Sequence, residues 1–212
     1  MVLPEPAPLR ILYQDDHGLI AVDKPPGQLV HPSDTPQPDD VVTMKVLRDQ
    51  IGEKVHVLHR LDRPTSGVLL FGLNQAISRR VRRAFEKRRV QKTYHALVFG
   101  HPEFDSWTNT TPLRKNPSDP EKAAETSFSV LERHANGSAL IEARPATGRY
   151  HQIRRHLLLG GHPIVGDYRY ADRGKNDAAG GLLGTGTRMH LTAHALSLVH
   201  PVTNEQITIT RT

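Results

Sequence analysis

"HVLHRLDRPTSGVLL", residues 56–70, decides how the chain is to be understood. Its end, Val68-Leu69-Leu70, opens a continuous apolar run, GVLLFGL over 67–73. A run of that length is the pattern of a strand buried on both faces. Just before it stand His59, Arg60, Asp62 and Arg63, closed by Pro64 and Gly67. Flanking positive charge favours the ionised form of a carboxylate. A carboxylate held that way is a poor general acid but a competent nucleophile or base. Thr65, Ser66 and Gly67 suit a tight turn that fixes its position. The same residues would also serve an ordinary surface turn with ion pairs.

N-terminal to this stretch, residues 9–13 and 19–23 have the pattern of two short strands around Asp15-Asp16-His17-Gly18. Residues 24–40 are rich in proline and polar side chains, hence a loop. Val41 to Ile51 fits a short helix with Asp39 or Asp40 as N-cap. C-terminal to it, "NQAISRRVRRAFEKRRV" (74–90) places Ile77, Val81 and Phe85 every four residues, one apolar stripe on a helix. The other faces carry Arg79, Arg80, Arg82, Arg83, Lys87, Arg88 and Arg89 against Glu86, a surplus equal to the +6 of the whole chain. Such concentration favours a polyanionic partner.

Residues 92–99 fit the next strand, and 101–121 are irregular and interrupted by proline. Segments 126–134 and 138–144 flank Ala135-Asn136-Gly137, a hairpin signal. Residues 147–161 turn into a helix that stops at Gly160-Gly161. The glycine-rich stretch 171–188 is expected to be a mobile loop. Residues 189–201 and 206–210 complete the chain as strands joined at Thr203-Asn204-Glu205. Strands thus occur both in hairpin pairs and separated by helices. That argues for a single α+β domain, 1–212, with a mixed, largely antiparallel central sheet and flanking helices.

The 212 residues are 37% hydrophobic and 24% charged, the composition of a soluble globular chain. There is no cysteine, so no disulfide, thiolate nucleophile or cysteine-based zinc site. The opening "MVLPEPAPLR" lacks the apolar core of a signal peptide. No stretch approaches the roughly 18 apolar residues of a membrane span. A cytoplasmic protein is the expectation.

Other constellations carry weaker signals. In "ATGRYHQIRRH" Arg149 lies near a helix start, with Arg154 and Arg155 following, forks suited to a carboxylate or phosphate or to a solvated basic face. On an alternating strand Lys92, Tyr94 and Ala96 share one face; Tyr94 could stack on a base or simply fill a core. His190 and His194 in "HLTAH" mimic half of a zinc-protease motif, but Leu191 stands where that motif needs glutamate. "GGLLGTGT" (180–187) lacks the Lys-Ser/Thr ending of a phosphate loop.

"HRLDRPTSG", "QKTYHAL", "TGRYHQIRRH", "GGHPIVGDYRY" and "AHALSLVHP" occur in that order. Together with the opening "LYQDDHGLIAVDKPPGQLVHP", this resembles the RluA family of pseudouridine synthases from about residue 9 to 210, nearest to a branch that acts on tRNA. The resemblance implies an isomerase that breaks the C1′–N1 bond of a uridine and rejoins the uracil through C5, with no cofactor or metal. It implies that Asp62 is the catalytic residue, acting at C1′ or on the 2′-proton. Arg60 would fill the space left by the flipped base, and Tyr94 would pack against the uracil. Arg154, or as second choice Arg149, would pair with Asp62. Base extrusion fits chemistry on a stacked nucleotide.

The chain departs from the family pattern at Ala193-His194-Ala195, where a leucine is usual at the first position, and no S4 RNA-binding module is expected. RNA grip would then rest on the catalytic domain, through Arg60, Arg63, Arg79, Arg82, Arg83 and Arg88. The substrate implied is RNA, with tRNA foremost and ribosomal RNA second, and the protein is taken as a monomer without membrane partners. Two rival functions are a non-catalytic RNA-binding protein and a glycosidase-like hydrolase. The latter needs a second acid facing Asp62, with Glu53, Glu86 and Asp167 as candidates.

Overall fold

The computed structural model describes residues 6–211; residues 1–5, part of the opening segment considered above for a signal peptide, lie outside the described residues. The chain divides into two compact units. One runs to Val90 and resumes at Ala193; the other is Gln91–Thr192.

The first unit is built on β4 (Ser66–Gly72), every residue of which is buried. It pairs antiparallel with β2 (Leu19–Lys24) along six residues, and β2 pairs in turn with β1 (Arg10–Gln14). β3 (His56–Val57) joins β4 at Phe71 and Gly72. β9 (Leu191–Val199) lies beside β4, and β10 (Gln206–Thr210) pairs antiparallel with β9. Gly67 has φ 107°, and a Cβ there would overlap the Ala193 backbone, so this strand contact requires glycine. The alternation on β2 and β4 puts Leu19, Ala21, Val68 and Leu70 into one cluster with Leu196, Leu198 and Ile209. Ile77 and Val81 of α2 (Gln75–Glu86) complete that cluster. The side chain of Asn74 caps α2 by accepting from Ile77 N. The apolar stripe is therefore as expected from its spacing, with Phe85 half-buried. The helix ends at Glu86, so Arg88 and Arg89 lie beyond it, with Arg88 at φ 55°.

One helix start differs from expectation. α1 (Thr43–Ile51) has Val42 at its N-cap and no side-chain cap. Asp40 instead accepts from Gln37 N and faces Arg63.

In the second unit the strand order is β5 (Gln91–Phe99), β8 (Ser138–Pro145), β7 (Thr126–Arg133), β6 (Ser106–Asn109), antiparallel throughout. The β7–β8 hairpin turns at Asn136-Gly137, with Asn136 Oδ1 accepting from Ser138 N. β6 lies inside the segment expected to be irregular, and Trp107 on it stacks on Phe128 of β7 at 5.0 Å. α3 (Gln152–Leu159) drives Ile153 and Leu157 into a core with Ala96, Val98, Phe128, Ile141 and Ala143.

The glycine-rich stretch expected to be a mobile loop holds α4 (Arg173–Leu182). Asp172 caps it by accepting from Lys175 N. Buried Asn176 accepts from Gly166 N at 2.8 Å, and Gly180 sits so close to the Gly186 carbonyl that a Cβ would overlap it. Docking thus offsets the roughly 1 kcal/mol per residue by which glycine disfavours a helix. The α+β class and the mostly antiparallel strand pairing are as expected.

Candidate active site

Asp62 lies in the first unit, half-buried, at the start of a turn in which Thr65 N donates to its carbonyl at 3.0 Å. The turn is clamped by the loop that follows β2. Lys24, the last residue of β2, has a fully buried side chain. Its Nζ donates to the carbonyls of Pro25 (2.8 Å), Arg63 (3.1 Å) and Thr65 (2.8 Å). Three carbonyls thus match the three protons of an ammonium group. Gly27 N adds a bond to Arg63 O, and Arg63 Nε returns one to Gly27 O. Burial pulls the Lys24 pKa down to about 8; Asp62 opposes that shift and Arg63 adds to it. Sequence reasoning passed over Lys24. Its only local signal was a lysine ending the apolar strand LIAVDK, immediately before Pro-Pro-Gly.

The flanking residues divide between structure and surface. His59 accepts from Leu70 N through Nε2 at 3.0 Å and stacks on Phe85 of α2 at 4.8 Å. Arg60 is exposed. Arg63 forms an ion pair with Asp40 at 2.9 Å, without an aligned hydrogen bond at Asp40 Oδ1. On α2, Arg82 donates twice to Val57 O, at 3.0 and 2.9 Å, and Arg80 donates to Pro201 O at 3.0 Å. Those two guanidinium groups brace β3 and the turn after β9. Arg79, Arg83, Arg88 and Arg89 are exposed.

Tyr94, Arg149 and Arg154 belong to the second unit. Tyr94 sits on β5 opposite Ala143 of β8 and packs against the core cluster of that unit. Lys92, two residues earlier, donates to Thr147 O and ties β5 to the loop before α3. That loop is fixed by buried Gln152. Its Oε1 accepts from Thr147 Oγ1 (2.6 Å) and Arg149 N (2.9 Å), while its Nε2 donates to Glu125 O and Thr126 Oγ1. Arg149 spends its Nε on Ala123 O at 2.9 Å.

Arg154 is buried at 5% exposure and grips Asp167 in a fork, Nε to Oδ2 and Nη2 to Oδ1, both at 2.7 Å. Its guanidinium also lies 4.9 Å from the ring centre of Tyr170. Of the two arginines, Arg154 is the one with a fixed, desolvated orientation. Asp167, weighed above as a second acid for a hydrolase, is 1% exposed and engaged in this pair. His190 bonds Thr185 Oγ1 at 3.1 Å, and no group of three or more His, Asp or Glu able to hold a metal ion occurs among the described residues. Nor is any helix among them long and apolar enough to cross a membrane.

A carboxylate on a turn held by hydrogen bonds to its backbone carbonyls has the fixed position that acid–base or nucleophilic work asks of a reacting group. Comparison with known proteins narrows the chemistry. Residues 18–159 match the family model described as RNA pseudouridylate synthase. The chain is 40% identical over 95% of its length to tRNA pseudouridine synthase C of Pectobacterium carotovorum, of which it spans 58%. It is 38% identical to the proteins of that name from Yersinia pestis and Haemophilus influenzae, and spans 85% and 92% of them. Among solved structures, human RNA pseudouridylate synthase domain containing 1 superposes with a TM-score of 0.80 at 26% identity, over 99% of this chain and 86% of that one. The human domain containing 4 gives 0.76 at 28%, over 96% and 88%. By the span of the family match, the likeness to its bacterial relatives and the shared fold, the chain belongs to the RNA pseudouridylate synthase family, whose members isomerise uridine in RNA.

Proposed function

We propose that the chain converts a uridine of tRNA to pseudouridine and that Asp62 is its catalytic residue. The observation that carries the reading is the clamp on residues 62–65. A buried lysine and a two-way exchange between Gly27 and Arg63, Gly27 N to Arg63 O and Arg63 Nε to Gly27 O, hold one carboxylate-bearing turn in place. Such anchoring is what preorganised catalysis demands of a reacting group. The tRNA assignment is supported by the names of the bacterial relatives. In this reading Arg60, exposed beside the turn, occupies the stack vacated by the target base. Tyr94 packs on the extruded uracil, and Arg154, oriented by Asp167, supplies positive charge to the reacting groups. The enzyme works as a monomer in the cytoplasm, where a chain without cysteine is indifferent to reducing conditions.

The test is tritium release from tRNA labelled at uridine C5, with wild type beside Asp62→Asn. C5 loses its hydrogen only when the base rejoins through that carbon. Release by wild type and none by Asp62→Asn, with RNA affinity within a few-fold, is the expected result. Release by both proteins would remove Asp62 from the chemistry. Release from ribosomal RNA but not from tRNA would move the substrate.

A further inference from the structure

A concavity of about 420 Å³ in the second unit is lined by Arg114, Lys115, Asn116, Pro117, Tyr150, Arg155, Arg169 and Tyr170. Its size is within the roughly 300–1,000 Å³ of small-molecule sites. Four of the eight lining residues are cationic, two are tyrosines and none is acidic. None comes from residues 56–70, so it is not part of the Asp62 turn.

The cations are not equivalent. Arg114 is paired with Glu121 at 2.7 Å and also donates to Pro117 O, so its charge is largely spent on its own loop. Arg155 donates Nη1 to the Arg114 carbonyl at 2.7 Å, which fixes its guanidinium without neutralising it. Arg169 stands 5.9 and 5.8 Å from the ring centres of Tyr150 and Tyr170, and bridges the two rings by cation–π attraction. Lys115 is exposed at the rim.

The aromatic wall is built rather than incidental. Tyr150 stacks on His151 at 3.7 Å with 20° between the planes, and its side is 38% exposed. His151 bonds the Tyr170 hydroxyl at 3.0 Å and meets the Tyr170 ring edge-on. His151 holds this position at φ 53°, a left-handed backbone that costs a non-glycine residue about 1 kcal/mol or more. Tyr170 in turn carries the Arg154 guanidinium. A strained residue thus supports an exposed tyrosine beside the cationic side chains of Arg155, Arg169 and Lys115.

We infer that this concavity binds an unpaired nucleotide of the substrate RNA, its base stacked on Tyr150 and its phosphate held by Arg155, Arg169 and Lys115. The inference rests on the RNA-modifying function proposed above and adds a second point of substrate contact. A bare phosphate site would not need an exposed aromatic ring, and a duplex offers no free base face to it. The one amide on the lining, Asn116, donates to Asp119 Oδ2 at 3.0 Å.

The test measures binding, not turnover, so it stands or falls separately from the isomerase reading. An RNA hairpin with 2-aminopurine in its loop and a fully paired duplex of equal length are titrated with wild type, Tyr150→Ala, Tyr150→Phe and a Lys115→Ala/Arg169→Ala double variant. Circular dichroism checks each fold. Tyr150→Ala should weaken hairpin binding roughly 5- to 150-fold, the range of a lost base stack, and relieve quenching of the 2-aminopurine. Tyr150→Phe should behave as wild type. The double variant should reduce the log–log salt slope by up to about 0.7, as the loss of one single-strand phosphate contact requires. Hairpin affinity for Tyr150→Ala within two-fold of wild type would overturn the inference. So would a Tyr150→Phe defect equal to that of Tyr150→Ala, or equal losses for hairpin and duplex. Displacement of the hairpin by millimolar inorganic phosphate, with Tyr150→Ala unaffected, would reduce the site to a simple anion site. Failure of Asp62→Asn to block tritium release would refute the catalytic assignment and leave this binding result standing.

Discussion

Replacing Lys24 by methionine separates the anchor of the 62–65 turn from the chemistry proposed for Asp62. Methionine keeps the length of the apolar stem and removes the ammonium. Three carbonyls, on Pro25, Arg63 and Thr65, then lose a donor. Arg63 O keeps the bond from Gly27 N, so two carbonyls are left short, at about 1–3 kcal/mol each. Against this stands the relief of a buried charge. The fall of the Lys24 pKa from 10.5 to about 8 corresponds to about 3 kcal/mol by which the fold disfavours the ammonium relative to the neutral amine. The net loss at pH 7 is therefore small, at most about 3 kcal/mol, while the 62–65 turn loses its fixed geometry. Turnover should fall at least 100-fold, since misplacement by about 1 Å has that effect.

The pH dependence supplies the sharper test. Below pH 8 Lys24 is protonated in both the folded and unfolded states, and the penalty is complete. Between pH 8 and 10.5 the unfolded chain binds more protons than the folded one, so wild-type stability gains from this group as pH rises. Lys24→Met lacks that gain. The stability gap between wild type and variant should thus widen by about 3 kcal/mol from pH 7.5 to pH 10.5, with all other titrating groups common to both. Urea denaturation at a series of pH values measures it. A constant gap, or turnover within two-fold of wild type, would refute the clamp.

Three further outcomes are expected. Asp167→Asn breaks a buried, bidentate pair with Arg154 and should lower stability by about 3–5 kcal/mol in urea denaturation; a loss below 1 kcal/mol would show that Arg154 is held by other contacts. Arg79→Glu with Arg83→Glu and Arg88→Glu should lower the log–log salt slope of tRNA binding by somewhat under one unit per lost duplex phosphate contact, whereas Arg82→Glu should act on stability by releasing Val57 O; equal salt slopes for wild type and the triple variant would remove α2 from the RNA interface. Gly180→Ala should detach α4, because its Cβ meets the Gly186 carbonyl, and hydrogen exchange of residues 173–183 should rise; unchanged protection there would mean the segment shifts without cost.

Much of the architecture was legible in local pattern. β4 announced itself as an unbroken apolar run, and α2 by Ile77, Val81 and Phe85 at helical spacing, because burial on two faces or on one stripe leaves a periodic trace. The β7–β8 hairpin was legible at Asn136-Gly137 because a tight turn needs a positive φ. Asp62 stood out because a single acid lies between arginines beside a buried strand. The order of five motifs then pointed to the family.

What the sequence did not disclose are pairings between residues distant along the chain. Lys24 meets carbonyls 39 and 41 residues away, and Arg154 meets Asp167 across a turn and a strand bridge. No periodicity encodes such contacts, because they depend on which backbones the folded sheet brings together. For the same reason the sequence could not say that Arg82 braces Val57 rather than facing solvent, or that Asp40 meets Arg63 instead of capping α1. Nor could composition reveal α4, whose glycines disfavour a helix in isolation. The sequence by itself determined most of the strands, though not β6, together with the basic helix, the place of the acid and the family. Only tertiary structure decided which charges are committed to holding the 62–65 turn and which remain exposed, because desolvation and long-range hydrogen bonding exist only once the chain has folded.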